Sequence, residues 1–225
     1  DEISKEIVLS NIFDSVVLKD IMMRNKIVSP TALEKVLEYV VANSSTTISG
    51  NSIAAALSDE NQSVSAPTVY DYLKYISEAC ICDKVLRYDI RGKKILAYEE
   101  KTYVCDLGFF QLKKNRVKDE YNYIVETICY NELISRGYNV YIGKTYKGEV
   151  DFIAEKGKEK FYVQAAYLLS DEAVIEREFG AYDAINDNYP KYVISMDKIQ
   201  MSRDGIIHLN LSDFLMNNKL NSEEL

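Results

Sequence analysis

Two strand patterns joined by a tight turn constrain the fold of this chain more than any other feature. From Gly148 to Ala154 apolar and polar residues alternate, and the run Phe161-Tyr162-Val163 consists of residues that favour strands. Between them, Lys156-Gly157-Lys158-Glu159 has the composition of a hairpin loop. The sequence therefore predicts two neighbouring strands, at residues 149–154 and 160–167, connected by a short turn.

The elements predicted around these strands give an α/β domain over residues 113–225. A long helix from Lys118 to Arg136 carries an apolar stripe and ends at Gly137. The predicted order is helix, three strands, helix and strand, with a short strand and helix after them. The further strands are at 138–142, 191–195 and 206–209, and the further helices are at 171–186 and 211–216.

This αβββαβ order resembles the PD-(D/E)XK restriction-endonuclease-like superfamily, whose motif is an Asp on one strand and Glu-x-Lys on the next. Asp151 fits the Asp, whereas Gln164-Ala165-Ala166 occupies the place of Glu-x-Lys. The resemblance implies catalytic positions at Asp151, Gln164 and Glu126, because many members carry an extra carboxylate on the preceding helix. The alternative for Glu126 is a surface charge paired with a basic residue.

The residue types at these positions decide which chemistry is expected. Phosphodiester cleavage with Mg²⁺ requires charged oxygen ligands and a group that positions the attacking water. Asp151 and Glu149 share a strand face and are the candidate metal ligands. Gln164 offers a neutral oxygen and Ala166 offers no functional group, which leaves Lys144 or Lys160 to replace the missing lysine. We therefore expect a degenerate, non-catalytic site without a cofactor; Mg²⁺ belongs to the alternative of an active nuclease.

The first half has the pattern of a winged helix-turn-helix over residues 26–112, so that the whole chain is α+β. Helices are predicted from Ser29-Pro30, at about 51–58, and from Ser65 to Ala79, with Ser and Pro typical of helix starts. Strand-like runs follow at 84–88, 94–98 and 101–106. The helix from Ser65 occupies the recognition position, and the turn around Arg91 occupies the wing position.

A basic cluster marks this predicted wing. Between Lys84 and Lys94 there are five basic residues and a single acid, Asp89. The cluster is interpreted either as phosphate contacts or as charges that protect an exposed strand edge. The predicted DNA-binding residues are Arg87, Arg91, Lys93 and Lys94 of the wing and Thr68 and Lys74 of the helix. Because the net charge is −8, a DNA partner and a protein partner both stay open.

Composition excludes several other classes. No apolar run approaches the roughly 20 residues that span a bilayer, and no signal peptide is visible, so we expect a cytoplasmic protein without a membrane partner. The four cysteines form no Cys-x-x-Cys pair, which favours reduced thiols over a zinc site. His208 is the single histidine and is predicted to be a partly buried strand residue, not part of a nucleophilic pair.

Several blocks in order along nearly the whole chain resemble the C-terminal region of a prokaryotic AAA+ ATPase family. The blocks are 10–20, 87–94, 106–108, 126–137, 149–154, 177–180 and 187–197. In that family a winged helix and a domain of unknown function with a PD-(D/E)XK-like core follow the ATPase module. The resemblance implies that residues 1–25 form a helical end of that module and that ATP binds only upstream of Asp1. It also implies that this part binds DNA or a protein partner.

Overall fold

The computed structural model describes residues 2–15, 20–59, 64–111 and 120–217. The chain divides into two compact units. The first comprises Asp1–Val85 with Glu99–Glu120, and the second comprises Leu86–Tyr98 with Tyr121–Leu225. The domain boundary expected between residues 112 and 113 lies outside the described residues, as does the expected helix start at Lys118.

The first unit is mainly helical. Its elements are α1 (Glu2–Asp14), α2 (Met22–Arg24), α3 (Pro30–Ala42), β1 (Thr46–Thr47), α4 (Gly50–Asp59), α5 (Ala66–Glu78), α6 (Gly108–Gln111) and parts of β2 (Cys82–Asp89) and β3 (Lys94–Val104). Leu33, Leu37, Ile53, Leu73 and Ile76 are at the centre of its apolar core. The helical stretch expected at residues 1–25 is present as α1 and α2, with residues 16–19 outside the description.

Serine caps begin two of these helices as the sequence predicts. The hydroxyl of Ser29 accepts from the backbone N–H of Ala32, and that of Ser65 accepts from Thr68, each at 3.3 Å. A proline stands in the first turn of both helices, where its missing N–H costs no hydrogen bond. The hydroxyl of Tyr72 on α5 lies 3.3 Å from the backbone N and O of Ser29, which ties α5 to the start of α3.

One prediction for this region is wrong, and two short elements were not predicted. The separate strands expected at 94–98 and 101–106 are one strand, β3, because Glu99 and Glu100 do not interrupt the extended backbone. No pattern in the sequence analysis predicts the short helix α6. The two-residue strand β1, which pairs antiparallel with β3 at Thr46 and Thr102, is too short to give a sequence pattern.

The second unit is built on a mixed sheet. Its further elements are α7 (Glu120–Ser135), β4 (Asn139–Lys144), β5 (Glu149–Lys156), β6 (Glu159–Ala165), α8 (Glu172–Gly180), β7 (Lys191–Ser195), β8 (Ile207–Asn210) and α9 (Leu211–Met216). From β3 the strand order is β3-β2-β4-β5-β6-β7-β8. β4, β5 and β6 pair antiparallel, whereas β2–β4, β6–β7 and β7–β8 pair parallel. The prediction of a mixed α/β fold is confirmed.

Helix α8 is shorter than the predicted helix at 171–186. Asp171 caps it through a 3.0 Å bond from the Val174 N–H, and Gly180 ends it before a turn at residues 181–184. The apolar spacing that suggested a longer helix continues through Tyr182 and Ile185, which are buried in the core of this unit beside Phe179. Within the part of the chain that the structure describes, no helix has the length and apolarity to cross a bilayer.

Candidate functional site

Strands β5 and β6 place Asp151 beside Gln164. Gly157, in the turn between the strands, has a φ of +62°, a conformation that glycine adopts without strain. The register continues through Ile153 opposite Tyr162 and Phe152 opposite Val163. The side-chain oxygen of Gln164 accepts from the backbone N–H of Asp151 at 3.2 Å. The Asp151 carboxylate accepts from the backbone N–H of Ala165 at 2.8 Å.

The amide of Gln164 connects this pair to helix α8. Its Nε2 donates to Glu178 Oε2 at 2.8 Å, and Arg177 donates to the other oxygen of Glu178 at 2.9 and 2.6 Å. Asp151 and Glu178 are both buried, and Gln164 is half-buried. We call Asp151, Gln164, Glu178 and Arg177 the polar chain. It joins two strands and a helix through the two positions of the expected motif.

Glu178 is the member of the polar chain that the sequence analysis missed. A signal was present, because Glu178 is four residues after Val174 and one before Phe179, on the face of α8 that is apolar elsewhere. A carboxylate on a buried helix face requires polar partners. Those partners lie on β6 and on α8 itself, and the local pattern does not identify them.

Glu126 is the third catalytic position that the resemblance implies. It is buried on α7, one turn before the fully buried Cys129. Burial raises the pKa of the Cys129 thiol, and the negative charges of Asp151 and Glu126 raise it further. The pKa of Tyr182 is raised by burial and then by Asp151 and Glu178. Glu126, Asp151 and Glu178 are all buried, and the interpretation of Glu126 as a surface charge does not predict its burial.

The donor set of this region does not fit Mg²⁺ in its present arrangement. Gln164 uses its oxygen for the Asp151 N–H and its nitrogen for Glu178, so ligation would break both bonds. Glu149, the second candidate ligand, forms an ion pair with Arg87 on β2. No group of three or more His, Cys, Asp or Glu residues within the described ranges is placed to hold a metal ion.

The lysines considered as replacements have other contacts. Lys160 Nζ pairs with Glu155 at 2.9 Å and lies 4.8 Å from the ring centre of Tyr88 and 5.4 Å from that of Tyr189. Lys144 is the last residue of β4. In the strand register its backbone lies opposite Glu149 of β5 and Asp89 of β2. The ammonium of Lys160 is thus held by Glu155 and two aromatic rings.

The single histidine is buried in β8, more completely than the sequence suggested. The N–H of Met201 donates to His208 Nδ1 at 3.3 Å, which assigns the proton of the neutral ring to Nε2. Nε2 then donates to Ser195 Oγ at 2.9 Å, and the Ser195 hydroxyl donates to Asp197 at 2.8 Å. The ring therefore cannot accept the Ser195 proton, and this trio is a structural network.

The predicted DNA-binding residues separate into different environments. Arg91, Lys93 and Lys94 are exposed in and next to the turn between β2 and β3, whereas Arg87 is buried against Glu149 and does not belong to this exposed cluster. Thr68 and Lys74 lie on α5 in the first unit. Thr68 shares a 2.8 Å hydrogen bond with Ser65, and Lys74 lies 3.8 Å from Glu78.

Comparison with known proteins places the chain in a family. Residues 1–118, more than half of the 225, match a domain of unknown function, DUF8612. The chain belongs to the DUF8612 family. This DUF8612 chain is 33% identical over 217 residues to an uncharacterized protein of Haemophilus influenzae, covering 96% of the chain and 54% of that protein. It is 31% identical over 194 residues to an uncharacterized protein of Methanocaldococcus jannaschii, covering 83% and 42%. The chain thus spans about half the length of these relatives or less.

Proposed function

We propose that this chain is a nucleic-acid-binding module in which a winged helix is followed by a nuclease-like unit that no longer cleaves. The observation that carries the proposal is the polar chain. Asp151 and Gln164 stand at motif positions, but their polar atoms bond to the backbone and to Glu178. A site whose groups satisfy one another is a structural element, because a bound metal would have to displace these bonds.

The element order of the first unit supports the winged helix. Three helices, α3, α4 and α5, precede the hairpin formed by β2 and β3, and β1 lies between α3 and α4. β1 pairs antiparallel with β3, which makes it the strand next to the hairpin at the edge of the sheet. This is the layout in which a second or third helix and a hairpin contact DNA.

The order of the second unit supports the nuclease-like assignment. Helix α7 is followed by three antiparallel strands, then by α8 and the parallel strand β7. The two central strands, β5 and β6, carry Asp151 and Gln164 side by side. A nuclease-like fold alone does not establish nuclease activity, and Gln164 and Ala166 at the motif positions argue against that activity.

The charge of the hairpin supports nucleic acid as the ligand. Arg91, Lys93 and Lys94 are exposed, and they form no ion pair with any carboxylate of the described ranges. Exposed cations of this kind bind phosphates and position a protein on the duplex without reading its sequence. The family resemblance adds the proposal that an ATPase module elsewhere in the full-length protein acts on the DNA that this part holds.

A salt titration of binding to double-stranded DNA tests the proposal. The affinity should fall steeply as salt rises, and replacing Arg91, Lys93 and Lys94 together by Ala should lower the salt slope by up to about three units. Lys158→Ala, at an exposed position of the β5–β6 turn, is the control and should lower the slope by less than one unit. Absence of binding at low salt would favour the protein-interaction alternative.

One observation favours the nuclease alternative. Asp151 and Glu126 are both buried, and both raise the pKa of Cys129. An apolar core does not need these carboxylates for packing. If Gln164 swings away from Glu178, these carboxylates could bind Mg²⁺. The nicking experiment in the Discussion separates this alternative from the non-catalytic proposal.

A further inference from the structure

A cavity of about 570 Å³ opens in the second unit between two turns. One wall is the turn between β2 and β3, and the other is the turn between β4 and β5. The lining residues are Asp89, Arg91, Gly92, Lys94, Leu96, Lys144, Thr145 and Tyr146. We call this cavity the turn pocket. Its volume lies in the range of about 300–1,000 Å³ that is typical of small-molecule sites.

Both walls of the turn pocket are held by hydrogen bonds. Asp89 Oδ1 accepts from the Gly92 N–H at 2.9 Å, and the Ile90 N–H donates to the Lys144 carbonyl at 3.1 Å. On the other wall, the Thr145 hydroxyl accepts from the N–H of Gly148 at 3.1 Å and donates to its carbonyl. A Cβ at Gly92 would come within 2.5 Å of the Asp89 carboxylate and would displace it. The pocket is therefore formed before any ligand binds.

The charges that line the pocket are mainly positive. Arg91, Lys94 and Lys144 contribute three cations against the carboxylate of Asp89, in a chain whose net charge is −8. A phosphate matches this arrangement, because Arg and Lys form charge-assisted hydrogen bonds to its oxygens. Phosphate alone would leave much of the cavity empty.

Tyr146 supplies the second half of the recognition. Its side chain is 74% exposed, at the rim of the pocket, while Leu96 is buried at the base. An exposed aromatic ring beside cations is the combination on which proteins stack a nucleobase while holding its phosphate. We propose that the turn pocket binds a single nucleotide, with its phosphate on Arg91, Lys94 and Lys144 and its base on Tyr146. The nucleotide is either free or part of a single-stranded nucleic acid.

This inference deepens the proposed function, and it depends on that function only when the nucleotide belongs to a strand. Calorimetry on the full 225-residue chain should use four probes. They are thymidine 5′-monophosphate, thymidine, inorganic phosphate and a 5′-phosphorylated oligothymidylate. We expect the monophosphate to bind more tightly than thymidine or phosphate, since only it engages both parts of the pocket. Equal binding of phosphate and monophosphate would overturn the role of Tyr146 and with it the inference.

The variants of the test are at exposed positions and should not disturb folding. Arg91→Ala and Tyr146→Ala should each weaken binding of the monophosphate about tenfold, the size of one lost phosphate contact or one lost base stack. Tyr146→Phe keeps the ring and should bind normally. The matched control is Lys158→Ala, because Lys158 is an exposed lysine of the β5–β6 turn and does not line the pocket. Equal losses in Lys158→Ala and Arg91→Ala would show a diffuse charge effect and overturn the inference.

The outcomes separate this inference from the proposed function. If duplex DNA binds with a steep salt dependence and the monophosphate does not bind, the proposed function stands and the pocket assignment is wrong. If the monophosphate binds with the variant pattern above and neither duplex DNA nor the oligonucleotide binds, the pocket is a free-nucleotide site and the proposed function is wrong. Binding of the oligonucleotide with the same variant pattern supports both.

Discussion

Arg87 on β2 and Glu149 on β5 form an ion pair across the strand that separates them, β4. Their side chains are 10% and 28% exposed. Because Arg87 and Glu149 are far apart in sequence, their ion pair ties the hairpin of β2 and β3 to β5, the strand that carries Asp151. A charge with so little access to water depends on its partner more than a surface charge does.

Glu149→Gln should therefore lower the free energy of unfolding by about 2 kcal/mol, between the values for exposed and buried pairs. Urea denaturation measures the loss. The control is Asp183→Asn, which breaks the pair of Lys147 and Asp183, whose side chains are 49% and 61% exposed. This second change should have almost no effect, and equal losses in the two variants would contradict a special role for the Arg87 pair.

Asp151→Ala should lower stability by about 1–3 kcal/mol, because the N–H of Ala165 loses its acceptor in a buried position. Asp71→Ala, at an exposed aspartate of α5, serves as the control and should change stability by less than about 0.5 kcal/mol. If Asp151→Ala is neutral or stabilising by denaturation, the carboxylate is a remnant of a metal site and not a structural element.

Gln164→Glu should place a second carboxylate against Glu178 in place of the amide donor. Two carboxylates at this distance raise one pKa of the pair, so the folded variant binds more protons than the unfolded chain. Its stability should be lowest at neutral pH and recover as pH falls through the raised pKa. Thermal denaturation with and without MgCl₂ then measures whether Mg²⁺ stabilises the variant. A variant as stable as the original protein at neutral pH would show that Gln164 does not bond to Glu178.

The unmodified chain should not nick plasmid DNA in Mg²⁺ or Mn²⁺. It lacks a charged ligand at Gln164 and a positioning lysine at Ala166, and general acid–base assistance alone is worth about 10²–10⁴-fold in rate. The double change Gln164→Glu with Ala166→Lys should restore Mg²⁺ binding by calorimetry if the strand geometry survives. Nicking by the unmodified chain that Asp151→Ala abolishes would establish the nuclease alternative.

Stability should fall as the pH drops below about 6.5, because burial lowers the pKa of His208 beneath that ordinary value. Between the lowered pKa and 6.5 the unfolded chain binds a proton that the folded chain does not, so the free energy of unfolding rises with pH. The free energy of unfolding, measured by urea denaturation at several pH values in this range, should change less with pH for His208→Gln than for the unmodified chain. Identical slopes would show that His208 does not titrate on unfolding.

Local patterns predicted the parts of the fold that local physics determines. The caps at Ser29 and Ser65 follow from residue type, and the adjacency of Asp151 and Gln164 follows from strand alternation and a glycine turn. For this reason the sequence alone places Asp151 and Gln164 on neighbouring strands, as the structure shows.

The features that the sequence did not predict depend on contacts between residues far apart in the chain. The charge cluster suggested that Arg87 is exposed, but parallel pairing of β2 with β4 brings it to Glu149. Glu178 joined the site because α8 packs on β6, and no spacing in the sequence encodes that contact. Strands β2 and β3 contribute residues to both units, and no local pattern in the sequence indicates this sharing.

This sharing of β2 and β3 restricts where the chain can be cut into stable fragments. A fragment that starts at residue 113 would leave β4 without the neighbour that Arg87–Asp89 provide, and would expose an unpaired strand edge to aggregation. A fragment that stops at residue 85 would remove the part of β3 that pairs with β1. No breakpoint between Cys82 and Val104 leaves both halves with a complete set of strands. A stable fragment of either unit should therefore carry the whole hairpin of β2 and β3.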